Sequence, residues 1–210
     1  MPRPKLSPAG QKTKPETETF DAAYYERYYE RARTRVASPE DTARLARFVA
    51  AYLAQLRVSE IRSVLDLGCG LGWWKAPSQE LFANAKYRGV EYSDHLVAKL
   101  GWEKGSVADY AGAPADLVVC QGVLHYLDAK TAKRAMENLA RLTKKALYIE
   151  ALTQEDWADT VDKARTDGRM QLRPARFYRR ALNEHFESCG GGVYVPKARP
   201  VVLYELERGK

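Results

Sequence analysis

The chain has 210 residues, of which 45% are hydrophobic, and a formal net charge of +7. This length suits one α/β domain with a full core. No run approaches the roughly 20 apolar residues that cross a bilayer, and the N-terminus lacks the apolar core of a signal peptide, so we expect a cytoplasmic protein without membrane contact. Three cysteines without CxxC or Cys/His spacing predict reduced thiols and no metal site. The modest positive charge permits an anionic partner without requiring nucleic acid.

The N-terminal part of the chain divides into a tail and two helices. Residues 1–18 combine Pro, Lys, Ser and Thr with few apolar residues, which predicts a disordered basic tail before one domain over residues 19–210. A first helix is expected over residues 20–33. Ser38 then provides an N-cap, followed by Pro39 and a second helix with apolar residues at helical spacing. We expect residues 19–58 to form a helical cover.

From residue 61 onward, short aliphatic runs alternate with helical segments. This pattern predicts a three-layer αβα, doubly wound fold with a mostly parallel seven-stranded sheet. Pro196 and Pro200 bracket a short connection between the last two runs, so the sequence predicts a C-terminal antiparallel hairpin there. The predicted strands cover residues 61–67, 87–91, 102–107, 116–121, 146–151, 193–196 and 201–207.

A glycine-rich loop follows the first predicted strand. Residues 64–72 read VLDLGCGLG, and alternating glycines let a backbone turn sharply and approach a ligand closely. A dinucleotide fingerprint would need its third glycine at position 73, which is Trp73. The carboxylate of Asp66 would repel a pyrophosphate but attract an ammonium group. Both features disfavour a dinucleotide.

Four segments in order carry a family resemblance. Residues 64–72 resemble motif I of the class I S-adenosylmethionine-dependent methyltransferases, and residues 89–93, 105–110 and 116–127 resemble the next three motifs. The resemblance implies a cofactor-binding half over residues 60–151, with S-adenosylmethionine bound and S-adenosylhomocysteine released. The implied cofactor-binding residues are Asp66, Gly68, Cys69, Gly70, Gly72, Glu91, Tyr92, Ser106, Val107 and Gln121.

Two of these segments allow closer interpretation. Glu91 lies about 20 residues after the glycines at the end of a strand, where a carboxylate can accept hydrogen bonds from both ribose hydroxyls. The resemblance implies that Tyr92 stacks on the adenine. The third motif departs from the family, because Ser106 stands where relatives usually have an aspartate. Asp109 is therefore either an adenine ligand or a solvated loop acid.

Methyl transfer from a sulfonium is a single displacement that depends mainly on positioning. A general base helps only where the attacking group carries a proton, and His125 is the candidate base after the fourth strand. The alternative for His125 is a structural or wall-lining role. Gln121 is either a site residue or a polar strand end, and we expect either Trp73 or Trp74 to pack in the core.

Substrate recognition is expected from the helical cover and from residues 152–210. Tyr24 and Tyr28 of the cover are candidate substrate contacts, with packing on the sheet edge as the alternative. Residues 163–180 hold seven basic residues against one acid, and Arg173 is the candidate contact to a phosphate or carboxylate. A solvated charged surface is the alternative interpretation of that segment.

Three functions remain open from the sequence. The first is a methyltransferase for a small-molecule acceptor, and the positive charge of the chain is compatible with an anionic acceptor. The second is an RNA or protein methyltransferase, disfavoured because CQGV at residues 120–123 replaces the NPPY-like motif of many base-methylating enzymes. The third is a module that binds S-adenosylmethionine without catalysis.

Overall fold

The computed structural model describes residues 20–204, so the tail predicted at residues 1–18 lies outside the described residues. The strands are β1 Ser63–Leu67, β2 Lys86–Glu91, β3 Glu103–Lys104, β4 Ala115–Gln121, β5 Thr143–Glu150, β6 Phe186–Gly190 and β7 Val193–Pro196. The helices are α1 Ala22–Tyr25, α2 Pro39–Gln55, α3 Lys75–Leu81, α4 Asp94–Leu100, α5 Ala129–Leu142, α6 Gln154–Asp159 and α7 Ala175–Leu182. A π-helical turn, Glu26–Glu30, follows α1, and a 3-10 turn, Leu124–Tyr126, follows β4.

The seven strands form one sheet in the order β3-β2-β1-β4-β5-β7-β6. Strands β1 to β5 are parallel, while β7 pairs antiparallel with both β5 and β6. The strand order reverses beside β1, and parallel sheets bind ligands at the carboxyl ends of their strands at such a point. The predicted αβα fold with a terminal antiparallel hairpin is confirmed.

Both faces of the sheet are covered, as expected for parallel strands. On one face Val118 and Leu147 pack in a core cluster with Leu139 of α5. On the other face Val119 packs in a second cluster with Val49 of α2. Neighbouring residues of β4 thus enter opposite layers, as the period of a strand requires.

Helix α2 begins as the sequence predicts. The Ser38 hydroxyl accepts a hydrogen bond from the Asp41 N–H over 3.1 Å, and the Asp41 carboxylate accepts one from the Ser38 N–H over 3.0 Å. This capping box satisfies amides that have no partner within the helix. Pro39 occupies the first helical position.

The terminal hairpin uses different segments from those predicted. Residues 201–204 form no strand, and residues 205–207 lie outside the described part. Strand β6 is instead the partner of β7, and Gly190, Gly191 and Gly192 all have positive φ at the turn between them. A Cβ on Gly192 would lie 2.8 Å from the Ile149 carbonyl oxygen, so this turn requires glycine.

Two further elements are shorter than predicted. The first helix ends at Glu30 after a π-helical turn, and β3 contains two residues. Within residues 20–204 no helix is long and apolar enough to cross a membrane.

Candidate cofactor and acceptor site

The loop after β1 contains three glycines with left-handed backbone conformations. Their φ angles are +78° at Gly68, +52° at Gly70 and +75° at Gly72. A Cβ on Gly68 would collide with Val123, and one on Gly72 would collide with Trp102. A Cβ on Gly70 would meet no atom within 4 Å among the described residues. Packing therefore requires two of these glycines, while the third borders open space.

Glu91 ends β2 beside this loop and is 5% exposed. Its Oε2 accepts a hydrogen bond from the Gly70 N–H over 2.8 Å, and its Oε1 accepts one from the Ser93 N–H over 2.9 Å. The Tyr25 hydroxyl lies 3.5 Å from Oε1, at the limit of hydrogen bonding. The carboxylate is held rigidly at the strand end by main-chain donors.

Asp66 lies within β1 and is 2% exposed. Its Oδ2 accepts a hydrogen bond from the Tyr87 hydroxyl over 2.6 Å. Burial raises the pKa of Asp66 to about 7, and the nearby charge of Glu91 acts in the same direction, while the Tyr87 hydrogen bond opposes them. A positive charge placed near Asp66 would lower that pKa.

The remaining predicted cofactor residues lie around the ends of β1 to β3. The main-chain N–H groups of Gly68 and Cys69 both donate to the Val90 carbonyl oxygen, over 2.8 and 3.1 Å. Tyr92 is partly buried, with the Lys104 ammonium 4.8 Å from its ring centroid. Two more predicted residues lie after β3, where Ser106 is partly exposed and Val107 is buried.

Asp109 follows them on the surface. It is exposed and lies 3.9 Å from the Arg134 guanidinium. This placement agrees with the solvated loop acid, one of the two alternatives that the sequence leaves open.

A chain of side-chain hydrogen bonds crosses the carboxyl ends of β4 and β5. The Trp74 indole N–H donates to Gln121 Oε1 over 2.8 Å, and Gln121 Nε2 donates to Glu150 Oε2 over 3.2 Å. The Tyr148 hydroxyl donates to the same oxygen of Glu150 over 3.2 Å. Trp74 is 4% exposed and packs in the core, whereas Trp73 remains partly exposed.

His125 lies in the 3-10 turn after β4 and is 4% exposed. Its Nδ1 accepts a hydrogen bond from the Leu152 N–H over 3.0 Å, and its carbonyl oxygen accepts one from the Gln171 N–H over 2.7 Å. Burial lowers the pKa of His125 to about 4, so the imidazole is neutral at pH 7. The side chain joins the segments after β4 and β5.

Aromatic residues of α1 and the π-helical turn lie over this edge of the sheet. Tyr24 and Tyr25 are 6% and 5% exposed. The Tyr24 hydroxyl forms a 2.9 Å hydrogen bond with the Tyr126 hydroxyl, and the Tyr28 ring is 5.1 Å from the Tyr24 ring. Tyr29 lies 5.8 Å from Trp73. Residues 20–30 of the predicted helical cover thus reach the glycine loop and the turn after β4, whereas α2 packs on a face of the sheet.

The structure separates the basic residues of segment 163–180. Arg173 is 8% exposed, donates to the Leu124 and Leu127 carbonyl oxygens, and donates to the Tyr178 hydroxyl over 3.2 Å. Arg169 is paired with the buried Asp167, with Nε 3.0 Å from Oδ1. Arg165 pairs with Asp162, while Arg176, Arg179 and Arg180 are exposed on α7. These residues do not converge on one anion-binding surface.

Two residues at the candidate site were not singled out from the sequence. Tyr25, which approaches Glu91, is one of four similar tyrosines, and nothing local distinguishes it. Glu150 ends β5 just as Glu91 ends β2, and its position at a strand end was a signal that could have found it. The parallel pairing of β4 with β5 then brings Glu150 opposite Gln121.

The fold and these residues define a class I methyltransferase architecture, and sequence comparison agrees. A family described as methyltransferase domain matches residues 22–190, well over half of the chain. The chain therefore belongs to the class I S-adenosylmethionine-dependent methyltransferases, and its cofactor is S-adenosylmethionine. Among curated protein sequences, no match was found.

Solved structures share this fold at low sequence identity. Magnesium protoporphyrin IX methyltransferase of Synechocystis PCC 6803, crystallised with bound S-adenosylhomocysteine, is 18% identical with a TM-score of 0.59, covering 81% of this chain and 87% of its own. DesVI of Streptomyces venezuelae is 17% identical with a TM-score of 0.57, and the match covers 74% of this chain and 91% of DesVI. PH0226 of Pyrococcus horikoshii OT3 is 15% identical with a TM-score of 0.60, covering 83% and 99%.

Proposed function

We propose that this protein transfers the methyl group of S-adenosylmethionine to a small-molecule acceptor by direct in-line displacement. The observation that carries the proposal is a group of aromatic residues over the carboxyl edge of the sheet. This aromatic cover consists of Tyr24, Tyr25, Tyr28 and Tyr29. Tyr25 approaches Glu91 and Tyr24 bonds to Tyr126, so buried rings lie directly above the strand ends. A covered site excludes water and holds the reactants in close alignment, which suits methyl transfer to a compact acceptor.

The residues present fit the cofactor. The open side of Gly70 leaves room for close approach, and the fixed carboxylate of Glu91 suits two ribose hydroxyls. Asp66 provides a negative charge for the methionine ammonium, and Tyr92 provides a ring for the adenine. The rest of the proposed pocket consists of Gly68, Cys69, Gly72, Ser106, Val107 and Gln121.

The chemistry requires alignment more than proton transfer. Holding the acceptor in line with the transferred methyl can supply about 7 to 11 kcal/mol of barrier lowering. The general-base role of His125 remains a prediction. With Nδ1 bonded to Leu152, only the second ring nitrogen could accept a proton, and the low pKa makes it a weak base. We propose that His125 chiefly positions the segments after β4 and β5.

Tyr24, Tyr28 and Arg173 remain predicted substrate contacts. The two tyrosines belong to the aromatic cover and are proposed as walls of the acceptor space. Arg173 already donates to two carbonyl oxygens and Tyr178, so we propose that it orders the turn after β4. A broad basic surface for RNA is not supported, because the cations of residues 163–180 are dispersed.

The first test measures cofactor binding. S-Adenosylhomocysteine at 100 times its dissociation constant should raise the free energy of unfolding by about 2.7 kcal/mol. Glu91→Ala should weaken binding markedly, while Glu80→Gln on the exposed side of α3 should not. A stabilisation by NAD instead would contradict the proposal.

The second test follows the methyl group. The protein is incubated with methyl-labelled S-adenosylmethionine and a cell extract, which is then separated into small molecules, RNA and protein. We expect enzyme-dependent label in the small-molecule fraction. Label in RNA or protein would replace the proposed acceptor class, and cofactor binding without label anywhere would indicate a non-catalytic module.

A further inference from the structure

Glu150 occupies the carboxyl end of β5, on the same edge as the cofactor residues. Its register partner is Gln121, the last residue of β4. Ligands of such sheets bind outside the carboxyl ends of the strands. Glu91 at the end of β2 belongs to the proposed cofactor site. In the strand order β5 lies beyond β4, so Glu150 borders the proposed cofactor residues on the side away from Glu91. A role of Glu150 in acceptor binding rests on the proposed function.

Hydrogen bonds orient the Glu150 side chain, but no ion pair balances its charge among the described residues. Gln121 and Tyr148 both donate to its Oε2, and Trp74 fixes the Gln121 amide from the other side. Over residues 20–204, Oε1 of Glu150 accepts no hydrogen bond and no Lys or Arg forms an ion pair with the carboxylate. The side chain is exposed. One carboxylate oxygen is thus available to a ligand.

Aromatic residues lie beside the groups that orient this carboxylate: Trp74 donates to Gln121 and directly follows Trp73 in the chain, and the Trp74 ring is 5.4 Å from the Tyr148 ring. Tyr29 is 5.8 Å from the Trp73 ring and 6.0 Å from the Tyr24 ring. Burial raises the pKa of Tyr29 to about 12, and the charges of Glu91 and Glu150 act in the same direction. Tyr29 and Trp73 thus form an aromatic surface beside the residues that position Glu150.

The two arginines of segment 163–180 with buried partners are bound elsewhere and do not offset the charge of Glu150. Arg169 is paired with Asp167, and its guanidinium lies 5.3 Å from the Tyr24 ring centroid. Arg173 is bonded to carbonyl oxygens and to Tyr178. Glu150 would repel an anionic acceptor, whereas a cation is attracted by both a carboxylate and aromatic faces.

We propose that the methyl acceptor is a small amine whose nitrogen is held by Glu150 and the rings of Tyr29 and Trp73. The bound ammonium loses a proton to water, and the nitrogen lone pair then forms a bond to the methyl carbon. The carbon–sulfur bond breaks with its electron pair left on sulfur, which leaves as S-adenosylhomocysteine. The positive charge moves from sulfur to nitrogen, where the fixed carboxylate stabilises it.

The product identifies the acceptor class. The protein is incubated with S-adenosylmethionine carrying a ¹³C-methyl group and a deproteinised metabolite extract, and labelled products are characterised by NMR and cation exchange at neutral pH. We expect an N-methyl signal in a product that the cation exchanger retains. An O-, C- or S-methyl product overturns the amine assignment while leaving the proposed function intact. No labelled small molecule overturns both.

A variant then tests Glu150 on the product-yielding acceptor. Glu150→Gln should raise the acceptor KM about 10- to 100-fold, the loss expected for a charge-assisted hydrogen bond. Its affinity for S-adenosylhomocysteine should be affected far less, because the glutamine carbonyl oxygen can still accept the hydrogen bond from Gln121 of the proposed pocket. Glu137→Gln, on the exposed face of α5, is the matched control and should behave as wild type. An unchanged KM in folded Glu150→Gln protein would remove Glu150 from the acceptor site.

Discussion

The main-chain N–H of Gly70 donates to Oε2 of Glu91 over 2.8 Å, so the glycine loop and the end of β2 are joined by one carboxylate. In Glu91→Gln, an amide N–H₂ group replaces one of the two carboxylate oxygens. Because Gly70 donates to one oxygen and Ser93 to the other, this N–H₂ group would face a main-chain N–H in either orientation. We expect the affinity for S-adenosylhomocysteine to fall about 10- to 100-fold. Isothermal titration calorimetry measures this loss, and wild-type affinity in the variant would contradict the ribose assignment.

The loop glycines were predictable because their signal is local, but their separate roles were not. The spacing of Gly68, Gly70 and Gly72 predicts a ligand-binding turn, yet no local pattern indicates that Val123 and Trp102 fill the space beside two of them. Those neighbours come from the turn after β4 and from the chain before β3. Only the folded arrangement separates packing from ligand contact.

Gly70→Ala should therefore differ from Gly72→Ala. At Gly70 the new Cβ meets no described atom within 4 Å, so the cost is the left-handed backbone, about 1 to 2 kcal/mol. At Gly72 the Cβ also collides with Trp102, and a larger loss is expected. Urea denaturation should rank Gly72→Ala well below Gly70→Ala in stability.

Cofactor titration completes this comparison. Folded Gly70→Ala protein should bind S-adenosylhomocysteine at least about 10-fold more weakly, because the Cβ enters the proposed cofactor space. Wild-type affinity in Gly70→Ala would show that the open side of Gly70 does not face the cofactor.

Asp66 should make stability depend on pH. Its folded-state pKa of about 7 exceeds the usual value near 3.9, so the folded protein binds more protons than the unfolded chain between those values. The contribution of Asp66 to the free energy of unfolding therefore falls as pH rises from about 4 to 7. Asp66→Asn should lose this dependence and gain up to about 4 kcal/mol relative to wild type across that window.

Denaturation of both proteins at pH 5 and pH 8 checks the sign. The free energy of unfolding of Asp66→Asn, taken relative to wild type, should be higher at pH 8 than at pH 5. A constant difference would mean that Asp66 titrates in the ordinary acidic range despite its burial.

The strands around the site were predictable where they are buried on both faces, but the sheet edge was not. Residues 117–120 form a continuous apolar run inside the predicted strand 116–121, and β4 follows that strand closely. Strand β6 reads FESCG, with one large apolar residue, so composition gives it no strand signal. The two prolines near residue 200 suggested a turn, while the actual turn uses consecutive glycines with positive φ. Pairing with β7 overrides local propensity at β6.

His125 offers a direct choice between a base and a positioning residue. Its sequence position suggested catalysis, but burial and the bond from Leu152 depend on the segment after β5, which no local pattern reveals. His125→Asn can keep an acceptor near Nδ1, whereas His125→Leu leaves the Leu152 N–H without a partner. We expect His125→Asn to retain kcat/KM within about 10-fold and His125→Leu to lose about 1 to 3 kcal/mol of stability.

The pH dependence of stability separates the two roles further. The pKa of His125 is lowered from 6.5 to about 4, so the folded state binds fewer protons than the unfolded chain between those values. Its contribution to stability is complete above pH 6.5 and is lost as pH falls toward 4, by roughly 3 kcal/mol. Because Asp66 acts in the opposite direction over part of this range, the comparison is best made in the Asp66→Asn background. A kcat/KM profile that loses an ionisation between pH 6 and 8 in His125→Asn, together with a large fall in rate, would instead identify His125 as the base.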